Sequence, residues 1–598
     1  MFSTALAMIH RTGREGGIEA MPWQKKKAWY LGNTTVRNAK RLRDGLAVLV
    51  DSPLHGNLAG RLNEHQFARL LDEAGVIELQ RLHSDHDADA SDMGRKWRAA
   101  LMQLGFITPG EKVLEQLRRR ERQFTVTPNG RRLLEASTLL EEQECFSRAL
   151  LAHQIPSPVE GFIEPVFSPL RIVLEVIAAL EKSGLDPRVS MDEMACFVQV
   201  LQSIADIEEA AHEIAQYRER LASLGSDRAR KQHAGEYRAG VASGLQGQRA
   251  STLEDYADSN IRYLKLTGLF AEEGRRLGFA KHKHTVIRQI LAEPWSPMVN
   301  PNDYVNALWN GAPLPTDDRQ NSIAAIEATA GLLQQEGAAC ELPLDWRCQS
   351  TADISQLRLR LEGQWLKVIE LRYAQQQSTE WQDIVRYLRA LSSTARSGVI
   401  PQGEAPAYFE WAVWRAFLAV NMLKNTPWDA RRFRVDQEML PIGPAPGNGP
   451  DLVFEFEDFV LVVEVTLTRS SRQEAAEGES VRRHVAGLVD HYGALGKAVY
   501  GMFIANVVDT NTAETFRIGA WYRDDSSRMA LRIVPITLTD FADLFETGFR
   551  EHGAVSYRVI EELLLRCLAD SNADAPEWKR LIGRHVACTV ARLRIPTQ

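Results

Sequence analysis

Two short apolar runs separated by two acidic residues constrain the fold of this 598-residue chain more than any other feature. The runs, Leu452–Phe456 and Phe459–Val465, are rich in β-branched and aromatic residues and flank the acidic pair. This pattern is typical of a β-hairpin with a two-residue turn. Its register predicts three facing pairs: Phe456 with Phe459, Phe454 with Leu461, and Leu452 with Val463.

The same register places two carboxylates opposite each other. Asp451 precedes the first strand and faces Glu464 in the second, with about 4.5–5.5 Å between their Cβ atoms. Like charges at this separation destabilise a sheet, so one group should bind a proton or a cation should lie between them. Such oxygen ligands suit Mg²⁺, which binds through one or two carboxylates and contacts substrate phosphates. The alternative is a solvated hairpin end whose acids keep the sheet edge soluble.

Composition limits the class of protein. The content of 44% apolar and 25% charged residues is that of a soluble globular protein with roughly three or four domains. No apolar segment is long enough for a transmembrane helix or a signal peptide. Six scattered cysteines without a CxxC pair are expected to be buried thiols in a reducing, cytoplasmic compartment. The net charge of −7 leaves any binding of nucleic acid to local patches.

The N-terminal half repeats one order of elements. A helix ending near residue 104 leads into a strand, a basic turn and a second strand, and Arg95–Arg132 holds ten Lys or Arg against three Asp or Glu. Later, a helix at Thr252–Leu266 is followed by a short predicted hairpin. Helices with a two-stranded wing indicate two winged-helix-like modules, in which the last helix enters the major groove and the wing contacts phosphates. The alternative is that the arginines are solvated faces of helices.

The chain is therefore predicted to be a multidomain α+β protein. Residues 1–20 are expected to be a disordered extension, 21–145 and 146–285 two winged-helix-like DNA-recognition subdomains, 286–397 a helical linker, and 398–598 an α/β domain. Strands interleaved with helices around an acid-bearing hairpin fit a nuclease core. The predicted elements of the α/β domain are a helix at Tyr408–Val420, a strand at Arg432–Leu440, the hairpin, a helix near Val481–Leu495, and strands at Ala498–Ala505 and Leu531–Ile536. The residues expected to contact DNA are Arg95, Lys96, Arg98, Arg262 and Lys265.

The acids of the hairpin also carry a family resemblance. Pro450-Asp451, followed after twelve residues by Glu464-Val465-Thr466, is similar to the PD-(D/E)xK nuclease motif, with Thr466 in place of the usual lysine. The surrounding APGNGPDLVFEFEDFVLVVEVTLTRSSRQEAAEGESVRRHV, with FEW at Phe409–Trp411, resembles the AlwI family of type IIS restriction endonucleases. That family includes relatives that nick one DNA strand. Weaker similarity extends upstream to about Trp23, and the resemblance implies recognition subdomains, a helical linker and a C-terminal PD-(D/E)xK cleavage domain, in that order.

The resemblance implicates Glu410, Asp451, Glu464, Glu477 and His484. It implies that Asp451 and Glu464 hold Mg²⁺, which Mn²⁺ can replace, with the main-chain carbonyl of Val465 as a further ligand. Glu410 would bind the metal or pair with an arginine, and Glu477 or Glu479 would add a carboxylate. His484 would be a general base or a cation near the phosphate, or else a helix-cap histidine. The task of the missing lysine would fall to His484, Arg482, Arg483 or Lys497, and Lys497 is the leading candidate because it precedes a core strand.

The expected activity is Mg²⁺-dependent cleavage of double-stranded DNA at a fixed distance outside a short asymmetric site, in the bacterial cytoplasm, with a cognate DNA methyltransferase as genetic partner. Because one cleavage domain cuts one strand, a double-strand break would need a transient homodimer or a small partner subunit. A nicking enzyme, or the large subunit of a heterodimer, is the closest alternative. A DNA-binding regulator with an inert core is an alternative of another class, although clustered buried acids argue against it. Another kind of phage-defence nuclease also stays open.

Overall fold

The computed structural model describes residues 27–36, 38–55, 58, 60–79, 87–108, 125–157, 166–393, 398–469 and 472–595. The predicted N-terminal extension, 1–20, lies outside the described residues. The described chain is mostly helical, with a mixed α+β C-terminal part. None of the described helices is both long enough and apolar enough to cross a membrane.

The N-terminal part consists of helices and one small antiparallel sheet. In this sheet β3 (Arg276–Phe279) lies between β1 (Val189–Ser190) and β2 (Phe270–Glu273). The turn between β2 and β3 uses Gly274 and Arg275, both with positive φ, as a two-residue hairpin turn requires. The elements are α1 (Leu42–Val50), α2 (Arg61–Glu73), α3 (Asp87–Gln103), α4 (Pro128–Glu135), α5 (Leu139–Ala152), α6 (Pro169–Lys182), β1 (Val189–Ser190), α7 (Met191–Glu193), α8 (Ile207–Ala222), α9 (Asp227–Ser243), α10 (Ala250–Lys265), β2 (Phe270–Glu273) and β3 (Arg276–Phe279).

One hydrophobic core fills this part of the molecule. Buried side chains from Ala28 to Leu180 and from Val189 to Ile290 belong to a single cluster, which crosses the predicted boundary at residue 145. The two predicted subdomains therefore pack against each other through shared apolar side chains. The second predicted wing is the hairpin β2–β3. Most of the first lies outside the described residues, and its two ends meet where Ile107 bridges Val126.

The predicted linker is helical, but its last helix belongs to the C-terminal core. The elements are α11 (His284–Ala292), α12 (Pro301–Asn310), α13 (Arg319–Gln335), α14 (Thr351–Gln376) and α15 (Trp381–Ser392). Apolar residues of α13 and α14 form a small core of their own, whereas Ile384, Leu388 and Leu391 of α15 are buried with the C-terminal domain. The predicted boundary at residue 397 is thus too late, because the apolar stripe of α15 faces the sheet domain.

The C-terminal domain is built around a four-stranded sheet, in the order β4 (Leu452–Glu455), β5 (Phe459–Thr466), β6 (Ala498–Ala505) and β9 (Ile533–Thr537). Its β4–β5 hairpin has the predicted register, with Leu452 opposite Val463 and Phe454 opposite Leu461. Strands β5, β6 and β9 are parallel. The elements are α16 (Ala405–Leu418), β4 (Leu452–Glu455), β5 (Phe459–Thr466), α17 (Glu479–Ala494), β6 (Ala498–Ala505), α18 (Thr510–Ile518), β7 (Ala520–Tyr522), β8 (Arg528–Ala530), β9 (Ile533–Thr537), α19 (Leu538–His552), α20 (Tyr557–Ala569) and α21 (Ala575–Leu593).

The strand predicted at Arg432–Leu440 is wrong. The segment makes only single bridges, Arg431 with Leu452 and Val435 with Pro441. It turns because the Asp436 carboxylate accepts hydrogen bonds from the backbone N–H groups of Glu438 and Leu440. Such a side-chain cap offers the backbone an alternative to a ladder.

This turn, residues 434–442, is here called the interface loop, because it packs against the N-terminal part. The Gln437 side chain donates to the carbonyls of Lys265 and Phe270. Lys265 forms ion pairs with Glu438 of the loop and with Glu272 of β2, and Asp436 pairs with Lys40. Charged groups that the sequence assigns to three different domains therefore meet at this interface.

The six cysteines are all free thiols. Cys145, Cys196 and Cys567 are buried as expected, and burial raises the pKa of each to about 12. Cys348 and Cys588 are exposed, which differs from the prediction that all six are buried.

Candidate active site

The candidate site lies at the open end of the β4–β5 hairpin, opposite its turn. Asp451 immediately precedes β4, and its carboxylate accepts a hydrogen bond of 2.9 Å from the backbone N–H of Val465. Glu464 is 7% exposed and lies in β5, where it follows Val463, the last residue paired with β4, and is opposite Phe503 of β6. The hairpin therefore brings the two predicted metal ligands together, as its register requires.

A side-chain hydrogen bond between the two carboxyl groups acts on the pKa of both. Burial, followed by the charge of Glu464, raises the pKa of Asp451 well above its ordinary value. Burial also raises the pKa of Glu464 to about 8. Desolvation of this kind disfavours the charged form of an acid.

A third acid reaches the same place from helix α16. Glu410 is 5% exposed, and its carboxylate accepts a hydrogen bond of 2.7 Å from the backbone N–H of Ala445. Burial raises its pKa, and the charges of Asp451 and Glu464 raise it further. Glu410 is thus held by a backbone amide in the acid cluster, where the sequence left open a pairing with an arginine.

Helix α17 and the turn before it supply the other two predicted residues. His484 Nδ1 lies 2.7 Å from Glu464 Oε1, and burial lowers the pKa of the imidazole. Its Nε2 is buried and has no hydrogen-bond partner among the described residues. Glu477 lies in a π-helical turn, Glu474–Gly478, and accepts a hydrogen bond of 2.9 Å from the Thr466 hydroxyl. Burial raises the pKa of Glu477.

Thr466, which stands where the motif has lysine, thus donates its hydroxyl to Glu477. Lys497, the leading candidate to replace that lysine, lies elsewhere in the domain. Lys497 Nζ donates to Glu455 and to the Phe456 carbonyl, at the turn end of the hairpin. The suggestion that Lys497 replaces the lysine is therefore wrong. The error arises because β6 is parallel to β5, so that a residue before β6 lies at the opposite end of the sheet from Glu464.

Three residues beside the site, Arg432, Asn448 and Gly449, were not predicted from the sequence. The positive charge of Arg432 acts on both Glu464 and His484, lowering the pKa of each, although burial has the larger effect. Arg432 donates to the Asn448 side chain over 2.6 Å, beside Gly449. The asparagine and glycines just before Pro450 were an available signal, because such a loop permits close approach of another group.

Among the described residues, no three His, Cys, Asp or Glu side chains form a metal cluster in their present positions. The chemistry of the donors nevertheless fits a hard divalent cation. Three buried carboxyls with raised pKa values, Asp451, Glu464 and Glu410, would be deprotonated when such an ion binds, and Mg²⁺ needs only one or two carboxylates.

The predicted DNA contacts lie on two helices. On α3, Arg95 and Lys96 both pair with Asp92, and Arg98 pairs with Glu64. Arg95 is the most exposed of these three, with 57% of its side chain accessible. The side chains of all three residues are at least partly exposed, so a DNA phosphate can reach them.

On α10 the placement differs from expectation. Arg262 donates to the carbonyl of Val36 and pairs with Asp258, while Lys265 is buried in the interface with the C-terminal domain. In this structure Lys265 is an interface residue, because carboxylates of Glu272 and Glu438 enclose its ammonium group. The neighbouring α9 exposes Arg228 and Lys231, which were not among the predicted DNA contacts.

A family model, the AlwI restriction endonuclease, matches residues 102–544, which is most of the chain and includes the whole acid cluster. The protein is accordingly a type II site-specific nuclease. The chain belongs to the AlwI restriction endonuclease family. No curated protein matches it.

Two solved structures show limited similarity. The small subunit R.BspD6I2 of the heterodimeric restriction endonuclease R.BspD6I is 26% identical over 34% of this chain and 98% of its own, with a TM-score of 0.27. The binding domain of the BpuJ1 endonuclease, solved in complex with modified DNA, is 13% identical over 48% of this chain and 96% of its own, with a TM-score of 0.31. Both TM-scores are too low to establish a shared fold.

Proposed function

We propose that this restriction endonuclease is a Mg²⁺-dependent enzyme of type IIS character, which binds a short asymmetric DNA site with its N-terminal part and cuts outside it. The observation that carries the proposal is the buried cluster of Asp451, Glu464 and Glu410 with His484, at the end of a sheet distant in sequence from the DNA-binding candidates. Separate places for recognition and chemistry let the cut fall outside the recognised sequence.

In this proposal Asp451 and Glu464 hold the cation, with Glu410 and the Val465 carbonyl as further candidate ligands. When bound, Mg²⁺ would neutralise phosphate charge and make an attacking water more acidic. A charged Glu464 can only accept a hydrogen bond, so His484 then carries its proton on Nδ1. Its buried Nε2, which has no partner among the described residues, is left as an acceptor, and we assign it the role of general base toward the attacking water.

Recognition of duplex DNA is proposed for the winged-helix-like arrangement of α6, β1, α10, β2 and β3. A helix followed by a two-stranded wing is the element order of that module. The exposed basic residues of α3 and α9 would contact phosphates, whereas the buried Lys265 would not. Arg95→Ala with Lys231→Ala should weaken binding and flatten its dependence on salt concentration, measured by fluorescence anisotropy. Unchanged binding and an unchanged salt slope would contradict this assignment.

The part of the chain that the structure describes holds one such acid cluster, which favours one cut per binding event. A double-strand break would then require a transient homodimer or a small partner subunit, and a strand-specific nicking enzyme is the second candidate function. A cognate DNA methyltransferase would protect host sites in either case.

The test is incubation with supercoiled plasmid and Mg²⁺, followed by sequencing of the ends. Linear fragments cut at one offset from a short sequence are expected for the type IIS enzyme, and open circles for the nicking enzyme. Asp451→Asn or Glu464→Gln should abolish cleavage while specific binding stays within a few fold of wild type. Retained cleavage by either variant would contradict the site assignment.

A further inference from the structure

One arginine lies beside the acid cluster without belonging to the predicted site. The backbone N–H of Arg432 donates to the Asp451 carbonyl over 3.3 Å, which fixes Arg432 next to the residue that begins the hairpin. Its Nη2 donates to Asn448 Oδ1 over 2.6 Å, and the side chain is half-buried. The loop that joins the interface loop to the hairpin therefore holds this guanidinium in a defined place.

The glycine after Asn448 makes room for the guanidinium. A Cβ atom at Gly449 would lie 1.6 Å from Arg432 Nη1, far inside any allowed contact. At Gly447, two residues earlier, an added Cβ would meet no atom within 4 Å. A side chain at 449 would therefore force the guanidinium of Arg432 to move away from its present position, at little cost to the rest of the fold.

The other candidate cations are engaged with partners of their own: Arg483 pairs with Glu479, although its charge also acts on His484. Lys497 is bound at the turn end of the hairpin, and Arg482 Nε donates to the Gly478 carbonyl of its own helix. Arg432, in contrast, is close enough for its charge to act on both Glu464 and His484.

We propose that Arg432 performs the task of the missing motif lysine: its guanidinium binds the scissile phosphate and stabilises the charge that develops there, and Asn448 and Gly449 position it. A guanidinium offers paired N–H donors that match two phosphate oxygens. Donors held in place before the reaction are worth most in the transition state. This inference rests on the proposed function, since it presumes that the acid cluster cuts DNA.

The experiment measures single-turnover cleavage with enzyme in excess, and specific DNA binding without divalent cation. Arg432→Met should lower the cleavage rate by about 100-fold or more, with binding within a few fold of wild type. Arg432→Lys should recover part of the cleavage rate, because it restores the positive charge but not the paired N–H donors of the guanidinium. A residue that only supports the fold would lose binding and cleavage together and would not be rescued in this way.

Gly449→Ala displaces the guanidinium while retaining it, and Gly447→Ala is the matched control. We expect cleavage to fall in the first and to stay near wild type in the second, with equal thermal stability. If Arg432→Met fails to fold, the Gly449→Ala comparison decides. Cleavage within threefold of wild type in Arg432→Met, or in a folded Gly449→Ala, overturns the inference.

The proposed function and the assignment of Arg432 can be tested separately. If Asp451→Asn cleaves like wild type, the acid cluster is not the active site and the role of Arg432 falls with it. If Asp451→Asn is inactive and Arg432→Met is active, the proposed function stands and only the arginine assignment is overturned.

Discussion

At the scale of single residues, the site is an unstable collection of acids that a proton or a cation must neutralise. Asp451, Glu464 and Glu410 are all buried, and burial raises the pKa of each. Free energy invested in such a cluster is recovered when the ligand binds, which is why shifted pKa values concentrate at functional sites.

This cluster predicts how stability changes with pH in the metal-free protein. Because the folded-state pKa of Glu464 is raised from 4.5 to about 8, the folded state binds more protons than the unfolded state in that interval. Stability is therefore greatest below pH 4.5 as far as this group is concerned, and is lost as pH rises through about 8. Thermal unfolding in chelator should show this fall, and Glu464→Gln should show a shallower one. Equal slopes would contradict the assignment.

At the scale of elements, the position of His484 depends on how closely α17 packs on the sheet. Gly501 of β6 lies under α17, and a Cβ there would be 2.9 Å from Ile533 Cγ1 and 3.0 Å from Val485 Cγ2. Val485 is the neighbour of His484 in α17. A side chain at 501 would therefore push the helix that carries the histidine away from Glu464.

Gly501→Val should destabilise the protein by about 1–3 kcal/mol through overpacking, and should also slow cleavage. Gly487→Ala, on the exposed face of the same helix, is the matched control, because an added Cβ meets no atom within 4 Å. It should stabilise the helix by about 0.5–1 kcal/mol with cleavage unchanged. The measurements are denaturant unfolding and single-turnover cleavage. A Gly501→Val protein as stable as wild type would refute this account of the packing.

The sequence predicted elements whose pattern is local and missed what depends on distant partners. The hairpin register, the helix α17 and the strand β6 follow from apolar alternation and periodicity within each segment. Asp451 and Glu464 follow from the register, since facing residues must lie close. The turn at Asp436 was missed because a side-chain cap overrode a strand-like pattern. Lys265 was taken for a surface cation, since nothing near it in sequence shows that Glu438 covers it.

At the scale of the whole molecule, the interface loop joins the two halves through buried charges. Lys265 is 8% exposed, and although burial opposes its charge, Glu438, Asp436 and Glu272 together raise its pKa. Removal of one member of such a network leaves the others unpaired, which costs more than the network itself contributes.

Lys265→Met should destabilise the protein by about 3–5 kcal/mol. Calorimetry should show this as a lower unfolding temperature. The double variant Lys265→Met with Glu438→Leu should recover much of that loss, because no unpaired charge stays buried at this position. The double-mutant cycle isolates the pair. Additive effects of the two substitutions would contradict a direct ionic contact.

The interface loop and the acid cluster are also close neighbours in sequence, and this limits how the enzyme can be re-engineered. A cleavage module cut out near residue 397 would lose α15 from its core and would expose the carboxylates of Asp436 and Glu438 without Lys40 and Lys265. A fusion of this module to a foreign DNA-binding protein would thus contain a domain with an incomplete hydrophobic core and with unpaired carboxylates on its surface. A transplant starting before Glu370, so that Arg431 keeps Glu370 and Arg415 keeps Gln377 and Glu380, with the loop acids made neutral, is the portable unit that this architecture offers.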